Sequence, residues 1–374
     1  MAGIYIHIPF CKQKCHYCNF FSVATLSRKD AFVAALLKEI ELRKDYVKGE
    51  TVNTVYFGGG TPSLLNISDI ALIIEHLAKH FNIDTQAEIT LEANPDDISE
   101  EKAREWKTAA INRLSIGIQS FFDDDLHYLN RVHSAGQAHQ AIDDVRNAGF
   151  DNLTIDLIYG IPGLTDEKWA KNLETFFSLN IPHLSAYSLT VEQKTPLALL
   201  IAKGKYPPLD ENLSIRHFKM LLEQAKTHHF IHYEISNFAR EGYYSKHNSL
   251  YWLGGNYLGL GPSAHSFNGS SRQWNVSSIS QYIQLDDYHT SVEENEVLTP
   301  DQRYNEYVMT SLRTSWGCDT VHILHAFGEN YENLFVLNAR SYLEKKHLFL
   351  DGTKYFLTDE GKLFADGIAA GLFI

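Results

Sequence analysis

Hydrophobic and polar positions along the chain switch repeatedly between two periods. Residues 3–8 (Gly-Ile-Tyr-Ile-His-Ile) alternate as a strand does, and 27–47 then carries Phe32, Val33, Leu36, Leu37 and Ile40 at helical spacing, with Ser27 as the N-cap. A second strand at 54–57 runs into Gly58-Gly59-Gly60-Thr61-Pro62, and 67–80 reads as a helix. The same alternation predicts strands at 88–92, 113–119, 153–159 and 184–190 and helices at 99–110, 135–148 and 165–177. Strands alternating with helices of this length imply a parallel sheet with right-handed crossovers. Six such units fall short of the eight of a closed barrel, and periodicity alone also allows a doubly wound sheet.

Beyond this region, 203–208 reads as a loop, 214–227 as a helix and 233–238 as a strand. A Gly/aromatic stretch follows, with His247-Asn248-Ser249-Leu250-Tyr251-Trp252, Gly254-Gly255 and Gly259-Leu260-Gly261-Pro262. After Thr299-Pro300, helical patterns at 302–314 and 331–346 lead into two short strands around Asp351-Gly352. The predicted organisation is therefore α/β, with boundaries at 1–235, 236–299 and 300–374, the last a small helical domain with a β-wing.

Composition narrows the class. At 374 residues the chain exceeds the ~250–300 residues of a single core, so a large and a small domain are expected. Hydrophobic residues at 44% and aromatics at 12% fit a folded enzyme-like protein. A net charge of −13 argues against general nucleic-acid binding, so the winged end reads as a docking or lid element. Four cysteines, three of them clustered, point to a reducing compartment, and with no signal-like or membrane-spanning run the expected location is the cytoplasm.

Chemistry concentrates in Cys11, Cys15 and Cys18, which share one loop behind the first strand. Thiolates select iron–sulfur clusters, zinc or copper(I), and three on one loop can converge on one centre. No fourth cysteine follows, because Asn19 and Phe20 occupy the next positions. A four-iron cluster held this way keeps one iron open; a zinc site completed by His7 or His16, or plain reduced thiols, are the alternatives. Polar residues recur at the strand ends where parallel folds place ligands: Glu92, Gln119, and Asp156 within its strand, with Arg131 following. The three glycines at 58–60 suit backbone contact with an anionic ligand. His7, His133 and His265 are candidates to support the site, and Cys318 reads as a buried apolar group.

The three-cysteine spacing resembles the radical S-adenosylmethionine (SAM) superfamily. Residues 5–10, Gly58-Gly59-Gly60-Thr61-Pro62, Gly117-Ile118-Gln119-Ser120-Phe121, Asn130-Arg131-Val132-His133-Ser134 and Asp156-Leu157-Ile158-Tyr159-Gly160 are similar to the oxygen-independent coproporphyrinogen III oxidase group, over nearly the whole chain. In that group the oxidase branch carries a further cysteine where this chain has Phe20, and an extension ahead of the first strand. The His-Asn-x-x-Tyr-Trp motif at 247–252 instead resembles the heme chaperone branch. The resemblance implies a partial (β/α)6 barrel with the group's C-terminal domain, and a [4Fe-4S] cluster on Cys11, Cys15 and Cys18. It further implies SAM held at Tyr5, Tyr17, Gly59, Gly60, Thr61, Glu92, Gln119, Arg131 and Asp156, with reductive cleavage of SAM to a 5′-deoxyadenosyl radical where that chemistry operates. Arg131 would pair with the SAM carboxylate. If 247–252 is helical, His247/Tyr251 and Asn248/Trp252 form i,i+4 pairs on an exposed turn; the residues alone favour an aromatic cap under the barrel mouth with Asn248 satisfying backbone groups, and the resemblance instead makes these four residues the heme contact. Heme, heme-acceptor proteins (membrane-bound respiratory enzymes among them) and an electron donor are the implied partners. The competing reading is a coproporphyrinogen III oxidase.

Overall fold

The computed structural model describes residues 2–285 and 291–374; Met1 and residues 286–290 of the connecting segment lie outside the described residues. Six strands follow one another in parallel order: β1 (Ala2–Ile8), β2 (Val52–Gly59), β3 (Ile83–Ala93), β4 (Arg113–Gln119), β5 (Leu153–Tyr159) and β6 (His183–Ser188). The helices between them are α1 (Lys29–Leu42), α2 (Ile67–His80), α3 (Glu100–Thr108), the short α4 (Asp123–Tyr128), α5 (Ala135–Asn147) and α6 (Asp166–Ser178). The partial barrel that the resemblance implied is there, and it is open rather than closed.

The sheet is wider than the six units. At the β6 side, α7 (Pro196–Ala202) and α8 (Glu211–Thr227) lead to β7 (Ile231–Glu234) and β8 (Asn237–Ala239). The single strand expected at 233–238 is thus a tight hairpin that reverses at Ile235-Ser236 and pairs antiparallel with β6. At the other side, α9 (Lys246–Trp252) is followed by β9 (Asn256–Leu260), which lies parallel to β1. β10 (His265–Phe267), β11 (Ser271–Asn275), the turn α10 (Ile279–Tyr282) and β12 (Val292–Val297) extend it antiparallel, giving twelve strands among the described residues.

Local chemistry explains the boundaries. α2 opens with a capping box in which Asn66 and Asp69 satisfy each other's backbone donors, and α5 does the same with Ser134 and Gln137. α1 starts later than expected: Ser27 is engaged with Thr25, whose hydroxyl accepts its N–H at 3.3 Å, so Arg28 takes the cap position. The helix also stops at Leu42, and 43–49 continues as turns rather than helix.

Along each strand one face packs against helices and the other looks into the barrel. Ile4, Ile6, Ile8, Val55, Phe57, Leu91, Leu114 and Ile155 form the buried outer layer with Phe32, Leu36, Ile73 and Trp106. The inner face carries Tyr5, Thr54, Tyr56, Glu88, Thr90, Glu92, Arg113, Ser115, Thr154 and Asp156, a polar lining that needs partners or ligands to be tolerated. A second core of its own lies in the C-terminal part: α11 (Pro300–Leu312), β13 (Cys318–Asp319), α12 (Thr320–Phe327), α13 (Glu329–Glu344), the β14–β15 hairpin (Leu348–Asp351, Lys354–Leu357), α14 (Asp359–Lys362) and α15 (Ala365–Ala370). Cys318 is buried there, beside Tyr304 and Tyr355.

Candidate functional site

A cavity of about 640 Å³ opens at the C-terminal ends of the parallel strands. Cys11, Cys15 and Cys18 line it together with Tyr17, Gly59, Gly60, Thr61, Glu92, Gln119, Arg131 and Asp156. The cysteine loop is tied down from several sides. Cys11 N–H donates to the Val23 carbonyl (3.0 Å), His16 N–H to that of Leu129 (3.1 Å), and Leu197 N–H to that of His16 (2.8 Å). Burial pushes the Cys11 thiol above its ordinary value and that of Cys18 up to about 11, so these sulfurs ionise only against a cation.

The glycine run works by close approach. A Cβ on Gly60 would stand 2.6 Å from the Phe10 carbonyl oxygen, and Gly59, at φ 110°, faces the His7 ring. His7 donates from Nε2 to the Phe21 carbonyl (2.8 Å) and accepts at Nδ1 from the Tyr5 hydroxyl (3.1 Å). His7 and His16 do not line the cavity, and among the described residues no three His, Cys, Asp or Glu groups are placed to hold one metal ion. A single zinc completed by either histidine therefore does not fit this donor set. A four-iron cluster, in which each thiolate holds a different iron, has no such requirement.

Beside the cysteines, Arg131 reaches the Cys15 sulfur (Nη1, 3.3 Å), the Asn94 side-chain oxygen (Nη2, 2.7 Å) and the Gly117 carbonyl (Nη2, 2.8 Å), while its Nε is buried without a partner. Asn94 in turn donates to Thr61 at 3.2 Å. Gln119 carries a φ of 68°, a left-handed backbone at the cavity wall. Glu92 accepts from the Tyr56 hydroxyl (2.7 Å) and from Gly59 N–H (3.3 Å). Burial, with Asp156 adding to it, raises Glu92 to about 7; burial likewise raises Asp156 to about 6. Two inward carboxyls that are costly to ionise make the site receptive to a ligand carrying positive charge.

Sequence reasoning missed Asn94, Tyr56 and Ser115. Tyr56 and Ser115 occupy alternate, inward strand positions, and that alternation was the available signal. It also missed Tyr187, Arg313 and Asp366, the last two brought to the cavity wall by the C-terminal part. Tyr5, by contrast, does not line the cavity; its ring lies deeper, 6.2 Å from Tyr56 and 6.3 Å from His247. His265 is exposed and stacks on Trp274 instead of supporting the site. His133 is buried and bonded to the Ile118 carbonyl (3.0 Å), and burial lowers it to about 4.

The 247–252 turn is helical, as its i,i+4 pairing requires, but it is not exposed. His247 is 1% exposed, and both ring nitrogens are engaged: Nδ1 with the Thr54 hydroxyl (2.8 Å) and Nε2 with the Tyr251 hydroxyl (2.7 Å). Burial, with Arg113 nearby, lowers its pKa to about 3, so the imidazole is neutral. The turn plugs the N-terminal end of the barrel because the Ser245 and His247 backbones find acceptors there: Tyr233 Oη at 3.3 Å and Glu88 at 3.2 Å. Thr54 lies five residues before Gly59, or ~16 Å at the ~3.3 Å rise of a strand. The turn and the cysteine loop thus occupy opposite ends of the barrel. Asn248 and Trp252 keep partial exposure, with the Arg313 guanidinium 5.5 Å from the Trp252 ring.

Comparison with known proteins agrees with this architecture. Residues 5–176 match the radical SAM superfamily and 298–364 the HemN C-terminal domain. The protein named heme chaperone HemW from Bacillus subtilis is 32% identical over 373 residues, covering 98% of each chain. That of Mycobacterium tuberculosis is 33% identical over 375 residues, covering 99% of this chain and 94% of its own. Escherichia coli coproporphyrinogen III oxidase, HemN, described as a radical SAM enzyme, superposes with a TM-score of 0.86 at 24% identity, covering 100% of this chain and 90% of that one. No described helix is long and apolar enough to cross a membrane. With both domains matched and such relatives aligned end to end, this chain belongs to the HemW family within the radical SAM superfamily.

Proposed function

We propose that the protein is a heme carrier that binds a [4Fe-4S] cluster through Cys11, Cys15 and Cys18, holds exchangeable SAM beside it, and passes heme to acceptor proteins. The observation that carries the reading is one cavity combining three thiols without a fourth cysteine, a glycine cradle, a buried arginine with an unpartnered Nε, and two inward carboxyls. These residues fit the group. Thiol protons, costly to remove in the buried pocket, leave when iron binds. Gly59, Gly60 and Thr61 accept the amino-acid end of SAM without Cβ interference, and Arg131 pairs with its carboxylate. Glu92 and Asp156 face its positive charge or its ribose hydroxyls. When bound, a cluster–SAM pair supplies one-electron chemistry.

What the chain itself contributes is orientation and exclusion of water. Asn94 fixes Thr61 and Arg131 together, and Tyr56 holds Glu92 in place. The cavity mouth at the loop, with Lys14, Asn19 and Phe20 exposed, is the approach for an electron donor. The names of the relatives support heme carriage over oxidation of coproporphyrinogen III; Phe20, where the oxidase branch has a cysteine, supports the same choice. The decisive experiment is an anaerobic titration of cluster-loaded protein with hemin, run in parallel with coproporphyrinogen III, SAM and reductant. Stoichiometric hemin binding without protoporphyrinogen is expected, and Cys11→Ala should lose the cluster's visible absorbance. Turnover of coproporphyrinogen, or an unchanged spectrum in the variant, overturns the reading.

A further inference from the structure

The end of the short helix α4 is tied to the cysteine loop. Leu129 closes the helix, the Arg131 N–H donates back to the Leu126 carbonyl (2.8 Å), and the Asn130 N–H donates to that of His127 (3.0 Å). This pair of bonds is the Schellman way of stopping a helix, and it requires a left-handed residue where Asn130 stands, at φ 60°. Glycine adopts that backbone freely, and asparagine is the common substitute. Here the asparagine amide is used: Nδ2 donates to the Lys14 carbonyl at 2.9 Å, while the Asn130 carbonyl accepts from Gln13 Nε2 at 3.1 Å. The two preceding carbonyls face the same loop, Leu129 accepting from His16 N–H (3.1 Å) and Tyr128 from His16 Nδ1 (3.1 Å). Acceptors left open at a helix end are thus met by the segment between Cys11 and Cys18. Of these four bonds to the loop, only the one from Nδ2 depends on which residue stands at 130.

We propose that Asn130 is a positioning residue that keeps the cysteine loop in register with Arg131. Its left-handed backbone aims the next residue into the cavity, where the Arg131 guanidinium reaches the Cys15 sulfur, Asn94 and the Gly117 carbonyl. Its amide meanwhile holds Lys14, the neighbour of Cys15, beside that arginine. Glycine would serve the helix stop at least as well, so the stop gives no reason for an amide; the bond to Lys14 does. The inference rests on the SAM reading of the cavity and adds to it how the carboxylate partner and the thiol loop are kept in step. A ligand held by both parts loses affinity when one shifts against the other, because such sites tolerate displacements of only ~0.5 Å.

The test compares the full cluster-loaded chain with Asn130→Gly, which keeps the helix stop and removes the amide. Circular dichroism and iron content should stay at the unaltered values, while SAM affinity in anaerobic equilibrium dialysis falls about fivefold, the worth of one hydrogen bond. The change that SAM makes in the electron paramagnetic resonance spectrum of the reduced cluster should shrink with it. In an Arg131→Lys background the same substitution should cost less than about twofold, because the amide acts through the arginine. If the unaltered protein binds no SAM, the SAM reading of the cavity fails and this role with it. If it binds SAM and Asn130→Gly binds equally well with the full spectral change, the SAM reading stands and the role is wrong. The role is also wrong if iron content falls together with SAM affinity, which would make Asn130 a prop of the loop alone, or if the effects of the two substitutions simply add.

Discussion

Glu39 holds the edge of the sheet that supports the cysteine loop, and replacing it is expected to be among the most damaging single changes in the chain. The side chain is fully buried. Its carboxylate accepts from Tyr282 Oη (2.5 Å), Asn275 Nδ2 (2.6 Å), Ser291 Oγ (2.7 Å) and Gly261 N–H (2.8 Å), and Arg43 Nη1 lies 3.5 Å away. Apart from Arg43, which closes α1, those partners come from the β9–β12 extension, and Gly261 packs against the backbone of His7 on β1. Glu39→Ala takes the acceptor from Tyr282 Oη, Ser291 Oγ and Gly261 N–H in the core and removes the charge beside Arg43, while Asn275 Nδ2 keeps the Gly261 carbonyl and Arg43 keeps Asn275, Ser266 and Gln273. At ~1–3 kcal/mol for each buried donor left unpaired, and ~3–5 kcal/mol for breaking a buried pair, the non-additive total is about 5 kcal/mol. That is a large share of the ~5–15 kcal/mol that keeps a typical protein folded. Glu39→Gln keeps one carbonyl acceptor and should cost about half as much, and Tyr282→Phe, which removes one donor, about 1 kcal/mol. Urea unfolding followed by circular dichroism gives the three values, with iron content reporting whether the loop still accepts a cluster. An alanine variant within about 1 kcal/mol of the unaltered protein would refute the reasoning, as would an order other than Ala, Gln, Phe.

Two further outcomes follow from the cavity. The carboxyls of Glu92 and Asp156, raised to about 7 and about 6, are stabilised in protonated form; that contribution is present below the ordinary carboxylate range and lost as pH climbs through 6 to 7. Because cationic SAM needs them ionised, its affinity for cluster-loaded protein should rise about tenfold between pH 5.5 and 8, and Glu92→Gln should flatten that rise in equilibrium dialysis. An unchanged slope in the variant would remove Glu92 from the SAM site. Gly60→Ala drives a methyl group to 2.6 Å from the Phe10 carbonyl and 2.9 Å from that of Ile8, backbone atoms that cannot turn aside. At ~1–3 kcal/mol for such overpacking the fold should survive, but the displaced loop should take up less than half the iron; full iron content would show that the approach is not critical.

Much of this was legible in the sequence, and what was not has identifiable physical reasons. Strands β4 and β5 and helix α2 stand where their periodicity put them, because each is local, regular and bounded by polar or glycine positions. The cysteine loop was legible because its donors are close in sequence. The β9–β12 extension was not: its strands are short, β9 pairs with β1 some 250 residues earlier, and no local pattern records such a pairing. Glu39 drew no reading from the sequence, yet it lies on the stripe of Leu36, Ile40 and Arg43, and an acidic residue on the buried face of a helix was the signal available.

The 247–252 turn shows how helical pairing can be right while its facing is wrong. Spacing places His247 next to Tyr251, but it does not say whether the pair looks outward or into the barrel. Here the inner face of the strands decides. On the polar floor, Thr54 and Glu88 take partners from the turn, the His247 ring and its backbone N–H, while Arg113 and Thr154 beside them pair with each other, and Ser245 N–H finds the Tyr233 hydroxyl. The consequence reaches the far end of the barrel. The His247 ring stacks on Tyr56 at 5.0 Å, and the Tyr56 hydroxyl holds Glu92 at 2.7 Å, so one column of rings runs from the motif to the carboxylate at the cavity wall. In this fold the motif therefore acts first on the geometry of the Glu92 carboxylate at the cavity wall.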